Sequence, residues 1–284
     1  MSDRSCPARV VLLPFALPTY RISVFRMLAD TEDFSVKVIY GSAPGLDNVT
    51  PAGFEAEAAR LWRVQALRGY IGWDFSQWKY AHSRHSDVLV LTWNTRYLSL
   101  VPSLLRARRH RVKTLLWGHG YSRRESIWRR WLRSRIARLA DGVIFYSRRD
   151  ADRFAEETGR YSEVFVAKNS LDQDPIRKAA AKWNDDAAAL AAFRSRHNLE
   201  DRPTILFVSR FKPDNRIDLL IQAAARLRNK YDRLAVVLIG KGAEESGVNK
   251  QAAQLGISDS LRIVGPLYEE EELAPWFITA DVFC

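Results

Sequence analysis

The sequence predicts an α/β protein with parallel sheets in two units, and three observations carry that reading. Strand-like and helix-like segments alternate through residues 1–170. Residues 204–284 run strand, polar turn, helix, then a second strand ending in a glycine loop, then a third strand. The 284 residues suffice for two α/β domains of ordinary size, or for one and part of a second.

In order, residues 8–13, 20–29 and 34–40 form a βαβ start, and residues 87–93, 97–109 and 112–118 form another. A basic helix over 126–140 leads into a strand at 141–147, and a helix at 148–158 into a strand at 163–167. This pattern calls for a parallel sheet covered on both faces. Residues 53–86 are aromatic and polar without clear periodicity and are expected as strand or loop. The first domain is 1–170 and the second 171–284, the latter opening with a turn and helical composition before the strand at 204. Leu273, Trp276, Phe277 and Ala280 have helical spacing, and Asp281 to Cys284 opens a fourth strand. A parallel sheet ending on a strand without a following helix leads us to expect an incomplete second domain.

Composition narrows the class. No apolar run approaches the roughly 20 residues of a spanning helix, and residues 10–18, broken by Pro14 and Pro18, read as a first strand rather than a signal-peptide core. Cys6 and Cys284 alone give neither a disulfide framework nor a cysteine metal site, so the cytosol is the default compartment. The net charge of +11 is concentrated: residues 102–149 carry 14 Lys and Arg against Glu125 and Asp141. Within them Ile127, Trp128, Trp131, Leu132, Ile136 and Leu139 share one helical stripe, with Arg129, Arg130, Arg133 and Arg138 mostly off it. Two readings compete: an arginine-rich solvent face on a helix packed against a sheet, or docking on anionic lipid at the inner face of a membrane. Nucleic acid is a third, since tryptophans stack on bases, but no nucleic acid is expected from tryptophans on a helix stripe.

In open parallel sheets ligands bind beyond the carboxyl ends of the strands. The candidate loops are 14–21, 41–45, 93–96, 118–124 and 147–149 in the first domain, and 209–216, 240–242 and 265–268 in the second. They are rich in donors and poor in carboxylates. Arg210, Lys212, Arg216 and Lys241, with backbone N–H groups at glycine-containing helix starts, are suited to a diphosphate. The Gly-x-Gly-x-x-Gly fingerprint is absent, and Gly240-Lys241-Gly242-Ala243 is too short for a Walker loop and lacks its hydroxyl. Hydride transfer and ATP hydrolysis both lose ground.

Taken together, Phe207-Val208-Ser209-Arg210-Phe211, the helix from Ile217 to Ala223, Leu238-Ile239-Gly240-Lys241-Gly242, Arg262-Ile263-Val264-Gly265, Glu272-Leu273 and Ala280-Asp281-Val282-Phe283 resemble the second domain of retaining GT-B glycosyltransferases, glycosyltransferase family four. Gly118-His119-Gly120, residues 140–144 and Lys168-Asn169-Ser170-Leu171-Asp172 are similar to that family's first-domain loop, strand and hinge. The resemblance implies a GT-B architecture of two Rossmann-like domains. It also implies transfer of a sugar, with retention, from a nucleoside-diphosphate sugar to a saccharide or lipid-linked acceptor, in a cleft and without metal or cofactor.

Arg210 matches the family's phosphate-binding arginine, whereas its partner lysine is Asn215 here, so either Lys212 or Arg216 reaches in or backbone donors carry more. Gly240, Lys241 and Gly242 join the donor side, and Gly265 and Leu267 match the segment lining the base. His119 is the first-domain candidate near the transferred sugar, against a plain surface histidine in a glycine turn. Tyr20 and Arg21 begin the helix where the family contacts acceptor, and Trp93, Asn94 and Arg96 sit at a strand end where they can stack on or bond a sugar. The family's next segment, a Pro-Ser turn and two glutamates that hold ribose and sugar hydroxyls, does not follow Cys284. The expectation is therefore a weakly active or inactive polypeptide. The alternative is a non-catalytic nucleotide-sugar or membrane-binding protein.

Overall fold

The computed structural model describes residues 7–42, 48–66, 69–121 and 127–284. Cys6, residues 43–45 and 122–124 of two candidate loops, and Glu125 and Ser126 of the basic segment lie outside the described residues. The chain divides into two compact units, one ending at Asp172 and one running from Gln173 to Cys284.

The first unit contains β1 (Ala8–Leu13), α1 (Ile22–Ala29), β2 (Phe34–Tyr40), β3 (Glu55–Ala58), β4 (Leu61–Ala66), β5 (Gly69–Asp74) and α2 (Phe75–Tyr80). It continues through β6 (Val88–Thr92), α3 (Leu100–Arg109), β7 (Lys113–Gly118), α4 (Ile127–Ala137), β8 (Gly142–Phe145), α5 (Arg148–Thr158) and β9 (Val164–Val166). Seven strands form a wholly parallel sheet in the order β3-β2-β1-β6-β7-β8-β9, so the direction of winding reverses between β1 and β6. Alternation along the strands sorts the core into two layers. Val11, Leu13, Leu89, Leu91, Leu116 and Phe145 pack on one side, and Leu12, Val36, Val38 and Val90 on the other with Phe25 of α1. Local signals set the helix ends: Ser147 caps α5 by accepting from Asp150 N at 3.1 Å, and Gly159, at φ +70°, closes it.

Residues 53–86 hold more structure than their pattern announces. They supply β3 at the sheet edge, the antiparallel hairpin β4–β5, and α2. Trp62 opposes Trp73 and Val64 opposes Ile71, so the outward hairpin face carries large apolar side chains. Polarity therefore does not alternate with the pleat, which is why no period shows.

The basic helix departs further from expectation. Its apolar stripe does not pack on the sheet along its length: Ile136 and Ala137 are buried, whereas Ile127 is 85% exposed, Trp128 79%, and Trp131 and Leu132 about half. Charged side chains point inward instead. Arg130 pairs with Glu157, which also receives Arg153 Nε at 2.9 Å and the Tyr121 hydroxyl at 3.0 Å. Burial opposes ionisation of Glu157, yet these donors hold its carboxyl below the usual range. Half-buried Arg133 lies with its guanidinium carbon 5.2 Å from the centre of the Trp93 ring. The arginine-rich face is thus in part the packed one.

The second unit contains α6 (Asp174–Asp185), α7 (Ala187–Arg196), β10 (Thr204–Val208), α8 (Ile217–Arg228), β11 (Ala235–Ile239), α9 (Glu245–Gln254), β12 (Leu261–Val264), α10 (Glu270–Thr279) and β13 (Val282–Phe283). Its four strands are parallel in the order β12-β11-β10-β13. The helical stretch before β10 is broken at Asp186, whose carboxylate accepts from Ala189 N at 2.8 Å and starts α7. Pro275 sits inside α10 and cannot donate to the Glu271 carbonyl; Trp183 Nε1 on α6 donates to it at 3.0 Å, so α6 both repairs and anchors α10. The Asp281 carboxylate accepts from Thr204 N at 2.8 Å and pins β13 beside β10.

Asp74, buried at the hairpin's end, caps α2 by accepting from Ser76 N at 2.8 Å. Burial pushes its carboxyl up to about 6 in spite of that bond. Because the folded state holds this proton more tightly than the unfolded chain, the carboxyl's contribution to stability falls as pH rises from about 4 to about 6 and stays low above that. Asp74→Asn keeps the cap's acceptor and removes the titration. Its stability relative to wild type should therefore improve between pH 4 and pH 8 by up to about 3 kcal/mol, read by urea unfolding at the two pH values.

Candidate functional site

In each unit the strand-to-helix loops gather at one sheet edge, and the site candidates fall there. In the second unit, the loop after β10 and the loop after β11 lie backbone to backbone: Phe211 N donates to Lys241 O at 3.0 Å and Ser209 N to Ile239 O at 3.1 Å. Gly240 N in turn donates to Val264 O at 3.0 Å, joining the end of β12. This closeness requires the two glycines. A Cβ on Gly240, at φ +142°, would stand 2.0 Å from Ser209 O, and one on Gly242 2.2 Å from Phe211 O.

Around this scaffold the cations Arg210, Lys212 and Lys241 are exposed, and α8 begins beside them at Ile217 without a side-chain cap from Arg216. Asn215 stands where the resemblance expects lysine, and it holds the loop closed. Its Nδ2 donates to Ser209 Oγ at 2.9 Å and to Arg210 O at 2.6 Å. Arg216 has φ +48° and is engaged by Asp218 through bonds of 2.9 and 2.8 Å, so of the two possible replacements Lys212 is the one without an acid bonded to it among the described contacts. Gly265 faces open space, and Leu267 is half-buried against the core beside Trp276.

The first unit supplies two clusters. Arg21 is only 7% exposed, its guanidinium carbon 4.3 Å from the centre of the Trp117 ring and its Nη2 donating to Tyr146 Oη at 2.7 Å. Asn169 Oδ1, at 3.5 Å, is a longer contact. These partners are neutral, so no acid is paired with this guanidinium among the contacts described. Exposed His119 lies with its ring 4.6 Å from that of Tyr146. Gly120 makes this turn possible, since at φ +69° a Cβ would meet the Phe145 ring at 2.2 Å. Tyr20 joins Arg21 on the wall of the pocket at the β1–β6 reversal, with Pro14, Thr92, Trp117 and Tyr146. His119, Tyr20 and Arg21 are therefore brought together through Tyr146.

Asn94 and Arg96 form the second cluster around Tyr70 of β5: Asn94 Nδ2 donates to the Tyr70 hydroxyl at 3.1 Å and the Arg96 guanidinium lies 5.4 Å from its ring centre. Arg63 Nη2 donates to the neighbouring Tyr97 hydroxyl at 2.7 Å. Trp93 does not join them. It is 5% exposed, edge-on to Phe145 and Phe154, and its ring is core rather than a platform for a sugar. Sequence reasoning missed Tyr146, Trp117 and Tyr70. The first two end strands, as the chosen residues do, and that position is a usable signal; Tyr70 lies in the stretch whose pairing is not legible.

Two parallel-sheet units of Rossmann type, with donors rather than carboxylates at the strand ends, define the GT-B class of fold. Residues 191–284 match the family described as Glycosyl transferases group 1. Among curated proteins, the GDP-mannose-dependent alpha-(1-6)-phosphatidylinositol monomannoside mannosyltransferase of Mycobacterium tuberculosis is 31% identical over 154 residues, 53% of this chain and 38% of that protein. The D-inositol 3-phosphate glycosyltransferase of Streptosporangium roseum is 31% identical over 160 residues, 52% of this chain and 34% of that protein. The chain thus spans well under half the length of these relatives. Among solved structures, Anabaena HepE in complex with UDP superposes with a TM-score of 0.70 at 15% identity, over 97% of this chain and 73% of that one. A glycosyltransferase from Rickettsia africae gives 0.67 at 13% identity, over 98% and 72%. These two share the fold.

The glycine contacts generate a direct test. Gly240→Ala should destabilise the second unit by at least about 2 kcal/mol, because neither the backbone oxygen it meets nor its own dihedral can relax cheaply. Gly256→Ala, at φ +69° with no atom within 4 Å, should cost about 1 kcal/mol. Paired thermal melts read the difference.

Proposed function

We propose that the protein transfers a sugar, with retention, from a nucleoside-diphosphate sugar to a saccharide or lipid-linked acceptor. The observation that carries this reading is the convergence of Arg210, Lys212, Lys241 and the uncapped start of α8 at one sheet edge, within the segment that matches the glycosyl transferases group 1 family. As the bond from the anomeric carbon to the diphosphate breaks, negative charge grows on the leaving group. Cations and backbone donors already in place stabilise that charge more than they stabilise the bound donor. These groups take the part a metal ion plays elsewhere, so no metal is required.

On the first unit, His119 and Arg21 around Tyr146 serve the sugar and the acceptor, and Asn94 and Arg96 at the second cluster add acceptor contacts. Arg21 suits an acceptor with an anionic group. The relatives' names support the substrate class: one is GDP-mannose-dependent and acts on a phosphatidylinositol mannoside, and one neighbour was solved with UDP-glucose. The charge of the basic segment 102–149 suits work at the inner face of a membrane.

Donor binding tests the reading without depending on turnover. Calorimetric titration with GDP-mannose and UDP-glucose should show saturable binding of one or both, unchanged by EDTA. Arg210→Ala should weaken it by about 10- to 100-fold, the worth of a charge-assisted contact to phosphate. No saturable binding of either nucleotide sugar, or affinity indifferent to Arg210, would sink the proposal.

A further inference from the structure

We infer that α4 is a membrane-docking element, whose outward apolar stripe enters the head-group region of an anionic bilayer while arginines beside it engage lipid phosphates. The inference starts from the helix's inverted packing. A helix that turns half-buried Arg130 and Arg133 toward the rest of the unit and exposes Ile127, Trp128, Trp131 and Leu132 leaves apolar surface in water that an ordinary solvent-facing helix would hide. The inversion is held in place by Arg130 on Glu157 and Arg133 over Trp93, together with Ile136 and Ala137 buried at the helix's far end.

The outward stripe has a chemical order along its length. Trp128 and Trp131 meet edge to face with ring centres 6.3 Å apart, and Arg135 follows with its guanidinium carbon 4.8 Å from the Trp131 ring centre. One turn on, exposed Arg138 opens a shallow hollow lined also by Arg108, Arg111 and Lys113, with Asp141 the acid among them. Indole rings beside aliphatic side chains suit the boundary between head groups and acyl chains, and guanidinium groups suit the phosphates above it.

Charge complementarity selects this occupant. A second copy would bring two strongly basic patches together, which is unfavourable. Single-stranded nucleic acid would use the indoles but leave Ile127 and Leu132 in water. An anionic lipid surface takes both the charge and the aliphatic side chains.

The test uses the whole chain and no nucleotide sugar, so it stands or falls separately from the transferase reading. The protein should co-sediment with phosphatidylcholine vesicles containing phosphatidylglycerol and be released by salt, and bind weakly to vesicles of phosphatidylcholine alone. Trp128→Ser with Trp131→Ser, both exposed, should lose more than about tenfold in vesicle affinity while retaining the circular dichroism of the parent. Arg135→Gln and Arg138→Gln should each lose about fivefold at low salt. Leu255→Ser, on the exposed surface of the second unit, should change nothing. Binding unaffected by the tryptophan changes, equal binding to neutral vesicles, or tryptophan-dependent self-association or RNA binding in place of vesicle binding would overturn the inference.

Discussion

Parallel strands can be joined only by chain that crosses back over the sheet, and that constraint organises both units. Each crossover returns at the same end, so every strand delivers its following loop to one edge. In the first unit the reversal between β1 and β6 parts two of these loops and opens the pocket bounded by Pro14 and Thr92. In the second, three loops are laced by backbone hydrogen bonds from Ser209 to Ile239, from Phe211 to Lys241 and from Gly240 to Val264. Side chains could not have produced that lacing, because Gly240 and Gly242 leave no room for one.

The same edges share an electrostatic character. Arg210, Lys212 and Lys241 are displayed to solvent, whereas Arg216 is neutralised by Asp218 before it can contribute. In the first unit the cation is buried instead, with Arg21 between aromatic rings and a tyrosine hydroxyl. The difference matters for what each edge can hold. Exposed cations on long side chains adapt to a flexible diphosphate, whereas a guanidinium fixed by Trp117 and Tyr146 presents one geometry and discriminates.

Much of this is legible from residue order, for reasons that differ by element. Strands such as β1, β6 and β11 are apolar on both faces, a signal that survives without knowledge of their neighbours. Gly240 and Gly242 mark a glycine loop after β11, and the structure adds the close backbone approach that they permit. The hairpin β4–β5 is illegible because its outer face is apolar too, and Trp93 is misplaced because a strand-end position does not reveal whether a ring turns toward ligand or core. Asn215 is the subtler case. Against a family pattern it is a missing charge, but its bonds to Ser209 and Arg210 make it the residue that shapes the loop.

The basic helix shows where periodicity stops being informative. Its stripe exists as the spacing predicts, but a pattern of apolar and charged residues does not say which side faces in. That choice is made by residues outside the helix. Glu157 on α5 offers a carboxylate already engaged by Arg153 and Tyr121, and Trp93 offers a ring face. Turning α4 over would leave Glu157 without Arg130 and would bury Trp128 and Trp131 against a core that is already filled by Trp93, Phe145 and Phe154. Close packing leaves no space for two more indoles, so the orientation follows from volume as much as from charge. The apolar surface left outside is therefore a consequence of how the core is filled, and a surface of that kind is stable in water only as far as something covers it.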